Sequence, residues 1–219
     1  MDKTTLSDLM VDAYGWQKNG QLSKAIQAWN ALLNHQDTPQ DLKANAHLSL
    51  GNLHQLQGND DLAIESMSNA IKANPNSAEA YFCLATIAQD QEDFATAVNY
   101  LEQALTLNSK DSGAFNNLGN CYDRLEKPQQ AIKAYTQAVK LDENYIAAVY
   151  NRGNVFLKLA KHDLAHKDFT KAIALDPDFY QAYYNRATLL KRMKRTTESE
   201  QDFTQAKILA QQDLNNSEK

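Results

Sequence analysis

Apolar residues along this chain fall in short stripes, each spaced for one face of a helix and each broken by a polar turn. Residues 46–57 read AHLSLGNLHQLQ, with one stripe. GNDD follows, and Gly58 there is free to take a left-handed backbone. Residues 62–75 then read LAIESMSNAIKANP, a second stripe that stops at Pro75. The pattern predicts two helices joined by a tight turn. Each pair leaves an apolar face that it cannot cover by itself.

The same pattern returns every 34 residues. Small residues form one column at Gly51, Ala85, Gly119, Gly153 and Ala187. A second runs through Ala63, Ala97, Ala131, Ala165 and Ser199, and a third through Ala70, Ala104, Ala138, Ala172 and Ala206. Bulky residues occupy Met67, Leu101, Tyr135, Phe169 and Phe203. Small columns let two helices approach closely, and bulky columns fill the space between them. A further unit upstream, with Ala13, Trp16, Gly20, Ala25 and Trp29, keeps this internal spacing but is offset by four residues. Four residues are about one helical turn, so the second unit is expected to start with a lengthened helix. Thr38 is the expected cap, with Pro39 at the first helical position and Asp41 in the first turn. Units that can bury their faces only against neighbours stack side by side.

These columns resemble the tetratricopeptide repeat, whose usual succession is a bulky residue, Leu-Gly, Tyr, a Gly turn, Ala, an aromatic, Ala and Pro. The unit 112–145 shows Phe115, Leu118, Gly119, Tyr122, Ala131, Tyr135 and Ala138, with Glu126 in place of the turn glycine and Glu143 in place of the proline. The unit 146–179 shows Gly153, Phe156, Ala165, Phe169, Ala172 and Pro177, with Arg152 where Leu is usual. The resemblance implies an all-α, right-handed superhelical solenoid of about six helix-turn-helix repeats. The units fall at about 6–39, 44–77, 78–111, 112–145, 146–179 and 180–212. Residues 1–5 are expected to be a flexible tail and 213–219 a frayed end, with QQDLNNSEK extending the last helix before it frays.

In that family the first helix of each unit lines the concave side. Helical phase then places Asn52, Phe82, Asn117, Asn120, Arg124, Tyr150, Asn151, Asn154, Lys158, Tyr184, Asn185, Lys191 and Arg192 in a peptide-binding groove. Asn is a poor helix former, yet it recurs at Asn117, Asn151 and Asn185. A carboxamide carries donors and an acceptor, so a row of them can bond the main chain of an extended peptide. The row is similar to the asparagine ladder of some tetratricopeptide proteins. Solvated carboxamides with no structural partner are expected here, so their removal should not weaken the fold. Arg124, Lys158, Lys191 and Arg192 favour a ligand with acidic residues. The clamp by which some members hold a chaperone's C-terminal carboxylate needs a Lys where Asn116 and Tyr150 stand.

Composition narrows the function classes. The chain has 219 residues and a net charge of −5, which argues against a general nucleic-acid binder. No stretch approaches the ~18 apolar residues that a membrane span needs. Cys83 and Cys121 make no disulfide framework, and the expected location is cytoplasmic. His162 and His166 are spaced i, i+4 but lack a convincing third ligand. His47 and His54 fall on packing columns. There is no phosphate-binding loop, and no cofactor, metal site or catalytic set is expected. The function expected is a non-catalytic protein-interaction module, an adaptor, assembly factor or co-chaperone-like scaffold. The alternative is a scaffold that assembles from its own copies.

Overall fold

A computed structural model describes residues 5–217. They form twelve α-helices and no strand. Two compact units divide the chain at residues 109 and 110. Unit 1 holds α1 (Leu6–Lys18), α2 (Leu22–Asn34), α3 (Gln40–Leu56), α4 (Asp60–Ala73), α5 (Ala78–Asp90) and α6 (Phe94–Leu107). Unit 2 holds α7 (Ser112–Arg124), α8 (Pro128–Leu141), α9 (Ile146–Lys158), α10 (His162–Leu175), α11 (Tyr180–Arg192) and α12 (Thr196–Ser217). Consecutive helices pair, α1 with α2 and so on to α11 with α12. Within unit 2, α9 also touches both α7 and α11, so the first helices of successive repeats form one continuous row.

All six turns inside the pairs share one backbone solution. The residues at Gly20, Gly58, Glu92, Glu126, Ala160 and Lys194 have φ between 53° and 73°. The next N–H in each case reaches back to a carbonyl five residues earlier, as in Lys127 N to Tyr122 O at 2.8 Å and Lys161 N to Phe156 O at 2.9 Å. This is the Schellman closure, which satisfies the last carbonyls of the first helix. Gly58 takes the left-handed form that the sequence predicts. Four L-residues take it as well, at a cost of roughly 1–2 kcal/mol each. Glu126 therefore departs from the usual glycine without changing the turn.

Side-chain size sets the approach within each pair. A Cβ built on Gly119 would lie 2.5 Å from the ring of Tyr135, which is 2% exposed. Where the facing residue is the smaller Leu101, alanine fits, as Ala85 does. Ser199 interrupts the alanine column without stranding its hydroxyl, because Oγ donates to Ala187 O at 2.8 Å. Trp29 closes the first repeat, fully buried, and its Nε1 donates to Gln17 Oε1 at 2.9 Å.

Three expectations need correction. Thr38 does not cap α3; Pro39 holds that position, and the Thr38 hydroxyl donates instead to Leu32 O at 2.6 Å, tying the end of α2 to the linker. Thr5, assigned to the tail, caps α1 through a capping box with Asp8; residues 1–4 lie outside the described residues. His47 and His54 are half-buried rather than core-filling, and His54 Nδ1 is buried without a protein partner. They line a cavity of about 330 Å³ together with Leu50, Glu65 and Ser66.

Arg152 is explained by a pair that single-column reading misses. Its guanidinium grips Asp168 at 2.8 Å through both Nε and Nη2, while Nη1 donates to Thr136 Oγ1 at 3.2 Å. Arg186 repeats this with Asp202 and Thr170. In the repeat before, the same two sites hold Leu118 and Ala134. A buried ion pair and an apolar pair are thus alternatives at one place in the unit. Asp168 is 3% exposed, so a single deletion strands a charge.

Two outcomes follow for stability. Ala160→Gly should stabilise the protein by about 1 kcal/mol, since glycine relieves the left-handed strain. Arg152→Leu should cost about 3 kcal/mol, whereas Arg152→Leu with Asp168→Ala should return to within about 1 kcal/mol of the parent. Denaturant titration of the four proteins checks both.

Candidate functional site

The inner row of unit 2 is built by α7, α9 and α11. Each helix presents a residue pair one turn apart: Asn116 and Asn120 on α7, Tyr150 and Asn154 on α9, Tyr184 and Thr188 on α11. Asn151 and Asn185 sit beside them, and their amide groups reach back to the preceding repeat. Asn151 Nδ2 donates to Asn120 Oδ1 at 3.1 Å and to Asn116 Oδ1 at 3.3 Å. Asn185 Nδ2 donates to Asn154 Oδ1 at 2.7 Å and to Tyr150 Oη at 2.9 Å. Each amide has two N–H bonds, and these contacts use both. The carboxamides are therefore half-buried links between repeats. The expectation that they are solvated and without structural partners does not hold for Asn151 and Asn185.

The row's polarity follows from that wiring. No donor among the described residues reaches Asn151 Oδ1 or Asn185 Oδ1, so each oxygen is left as an acceptor. Asn120 Oδ1 is further occupied by the Tyr135 hydroxyl at 2.8 Å. Burial pushes the Tyr135 phenol above its usual range, with Asp123 adding to the effect, so the tyrosine remains a donor. Asn116 is 5% exposed and passes its own amide to Asn117 Oδ1 at 3.5 Å. Asn117 stands at the start of the row and bonds no earlier repeat of unit 2.

The predicted aromatic and basic residues separate into two groups. Tyr150 is half-buried, with ring centroids 4.7 Å from Phe179 and 5.9 Å from Phe169. Tyr184, at the equivalent place one repeat later, is 56% exposed and meets Phe203 edge to face, with ring centroids 5.5 Å apart. Lys158 is held by Asp123 at 2.6 Å and 2.8 Å, so its charge is already matched. Arg124, Lys191 and Arg192 lie in the last turns of their helices and are exposed. Asn52 and Phe82 belong to unit 1. Asn52 contacts α5 there, donating to Glu79 Oε1 at 3.5 Å and accepting from Cys83 Sγ at 3.4 Å.

Burial, then the charge of Glu79, pushes the Cys83 thiol up to about 11, so it is no thiolate nucleophile near neutral pH. His166 Nε2 lies 3.4 Å from Arg195 Nη1. Its basicity is lowered by burial first and by Arg195 and Arg186 next. Among the described residues no group of three His, Cys, Asp or Glu is placed to hold a metal ion. No described helix is long and apolar enough to cross a membrane.

With this geometry in hand, family comparison is direct. Tetratricopeptide repeat models match residues 17–78, 78–111, 113–145, 146–179 and 169–201. The chain belongs to the tetratricopeptide repeat family, and its class is that of a protein–protein interaction module. No curated protein matches it. Among solved structures it is similar to MamA, at 25% identity and a TM-score of 0.73, covering 76% of this chain and 97% of MamA. PilF of Pseudomonas aeruginosa aligns at 18% identity and TM-score 0.75, over 93% of this chain and 91% of PilF. YrrB, described as a TPR protein with an unusual peptide-binding site, aligns at 20% identity and TM-score 0.72, over 84% and 93% of the two chains. At these identities PilF and YrrB speak to the fold.

The wiring predicts graded effects of alanine. Asn151→Ala leaves the buried Asn116 oxygen unpaired, and Asn185→Ala removes two bonds, so each should destabilise by about 1 kcal/mol. Asn117→Ala frees the buried Asn116 amide from one long 3.5 Å contact but gains helix propensity, so it should cost less than either, about 0.5 kcal/mol. Thermal melts of the three single variants give the order.

Proposed function

We propose that the inner row of unit 2 binds an extended, partly acidic segment of a partner protein. The observation that carries this reading is the pair of unoccupied carboxamide oxygens, Asn151 Oδ1 and Asn185 Oδ1, repeated along α9 and α11. They suit main-chain N–H groups of a strand-like ligand, whatever its side chains are. Asn117, Asn120 and Asn154 offer amide donors beside them. Exposed Tyr184 adds a flat apolar contact of the type that peptide sites use. Lys191 and Arg192 draw carboxylates to the α11 end, with Arg124 a second basic position on α7. Lys158 contributes less than its charge suggests, because Asp123 neutralises it. The peptide site named for YrrB is consistent with this use of the fold. The reading implies a non-catalytic adaptor or assembly factor.

Fluorescence anisotropy with a labelled peptide of alternating Glu and Ser, and with its Lys counterpart, tests it. The acidic peptide should bind the more tightly and weaken as salt rises. Lys191→Glu with Arg192→Glu should slow its association more than it speeds dissociation. Tyr184→Ala should weaken binding about fivefold, or ~1 kcal/mol. Equal affinity for both peptides would defeat the proposal. A molar mass that grows with concentration would favour self-assembly instead.

A further inference from the structure

Unit 1 presents an inner face of opposite chemistry. Its first helices place Val11 and Tyr14 on α1 and Leu56 on α3, at the positions that carry Asn and basic residues in unit 2. Val11 is 70%, Tyr14 49% and Leu56 73% exposed. The large exposed apolar residues of unit 1 are Val11, Tyr14, Leu56, Leu62 and Leu107, so most of them gather here. In unit 2 the corresponding set is Leu141, Leu164, Tyr184, Ile208 and Leu214, of which only Tyr184 faces inward. The helices of this face are held together beneath it. Met10 of α1 packs on one core cluster with Trp29, Leu50 and Leu53, and Asn52 ties α3 to α5. Phe82 on α5, at the position that Tyr150 and Tyr184 hold in unit 2, is half-buried.

Charge identifies what would cover this strip. Residues 1–109 contain five Lys and Arg against thirteen Asp and Glu, a formal charge of −8. Residues 110–219 contain seventeen against fourteen, a charge of +3. Lys18, in the last turn of α1, is one exposed cation beside the strip, which is flanked by Asp41 in the first turn of α3 and Asp90 at the end of α5, both exposed. Neither makes an ion pair among the described residues. With two exposed carboxylates to one lysine around it and a charge of −8 over the unit, this apolar face matches a segment with apolar anchors and basic flanks. We infer that the inner face of unit 1 docks a basic amphipathic segment of a partner protein, with Val11, Tyr14 and Leu56 as its apolar floor and Asp41 and Asp90 as its charged rim. An acidic segment would meet net repulsion there, so this site is distinct in specificity from the one proposed on unit 2.

The test uses the full chain and two helical peptides of the same amphipathic pattern, one of Leu and Lys and one of Leu and Glu. Calorimetry should show saturable binding of the Leu–Lys peptide alone. Val11→Ser with Leu56→Ser should weaken it about tenfold, a loss of ~1.4 kcal/mol, with an unchanged thermal midpoint because both side chains are exposed. Asp41→Asn with Asp90→Asn should flatten the salt dependence while leaving residual affinity. Lys191→Glu with Arg192→Glu, in unit 2, should not weaken this peptide, so the two sites fail or survive separately. Comparable binding of both peptides, or full affinity in the Val11/Leu56 variant, would overturn the inference. So would sedimentation in which the free chain self-associates and the same variant disperses it, because the occupant would then be a second copy.

Discussion

A pair of helices of this length cannot bury its own apolar face, and the rest of the structure answers that constraint. Each repeat within a unit must be covered by the next. Side chains at every junction are therefore chosen for what stands one repeat away as much as for their own helix. Where the junction is apolar, size is matched, as Gly119 is to Tyr135 and Ala85 to Leu101. Where its inner edge is polar, groups must be paired across the gap, since an unpaired half-buried amide is costly. Asn151 with Asn116 and Asn120, and Asn185 with Asn154 and Tyr150, are the result.

That pairing also shapes what the surface can recognise. Once both N–H bonds of Asn151 and Asn185 are spent between repeats, each carboxamide has only its oxygen, an acceptor, left to offer. A row that might have been adaptable becomes directional before any ligand arrives. The ordering is fixed in the free protein, so a partner need not pay to orient it. Unit 1 keeps one such link, Asn52 to Glu79 and Cys83, and exposes Val11, Tyr14 and Leu56 on helices of an acidic unit. The two units therefore share a fold and differ in the chemistry they offer.

Much of the architecture was legible in the sequence because the repeat enforces it many times over. The columns of Ala, Gly and bulky residues located the helix pairs, and Gly58 marked its turn. The equivalent turns at Glu92, Glu126, Ala160 and Lys194 carried no glycine signal; hydrogen bonding holds them in a strained form that composition does not announce. Thr38 has the right chemistry for a cap, but a buried carbonyl at Leu32 competed for its hydroxyl. Arg152 was visible as a departure from leucine, yet its meaning lay 16 residues away in Asp168. Reading the two columns together shows Leu118 with Ala134 and then Arg186 with Asp202, which is the signal. The asparagine column was visible too. Its direction was not, because helical phase tells which face a carboxamide occupies and says nothing of the acceptors that a neighbouring repeat supplies.

The central claim is that Asn151 and Asn185 join repeats first and meet a ligand only through what is left over. Side-chain amide hydrogen exchange in the free protein, followed by nitrogen-resolved NMR, addresses it most directly. The Nδ2 protons of Asn151 and Asn185 should exchange well below the rate of an exposed asparagine such as Asn45, and those of Asn117 should not be slowed in the same way. Protons on Asn151 and Asn185 that exchange as fast as those of Asn45 would contradict the account.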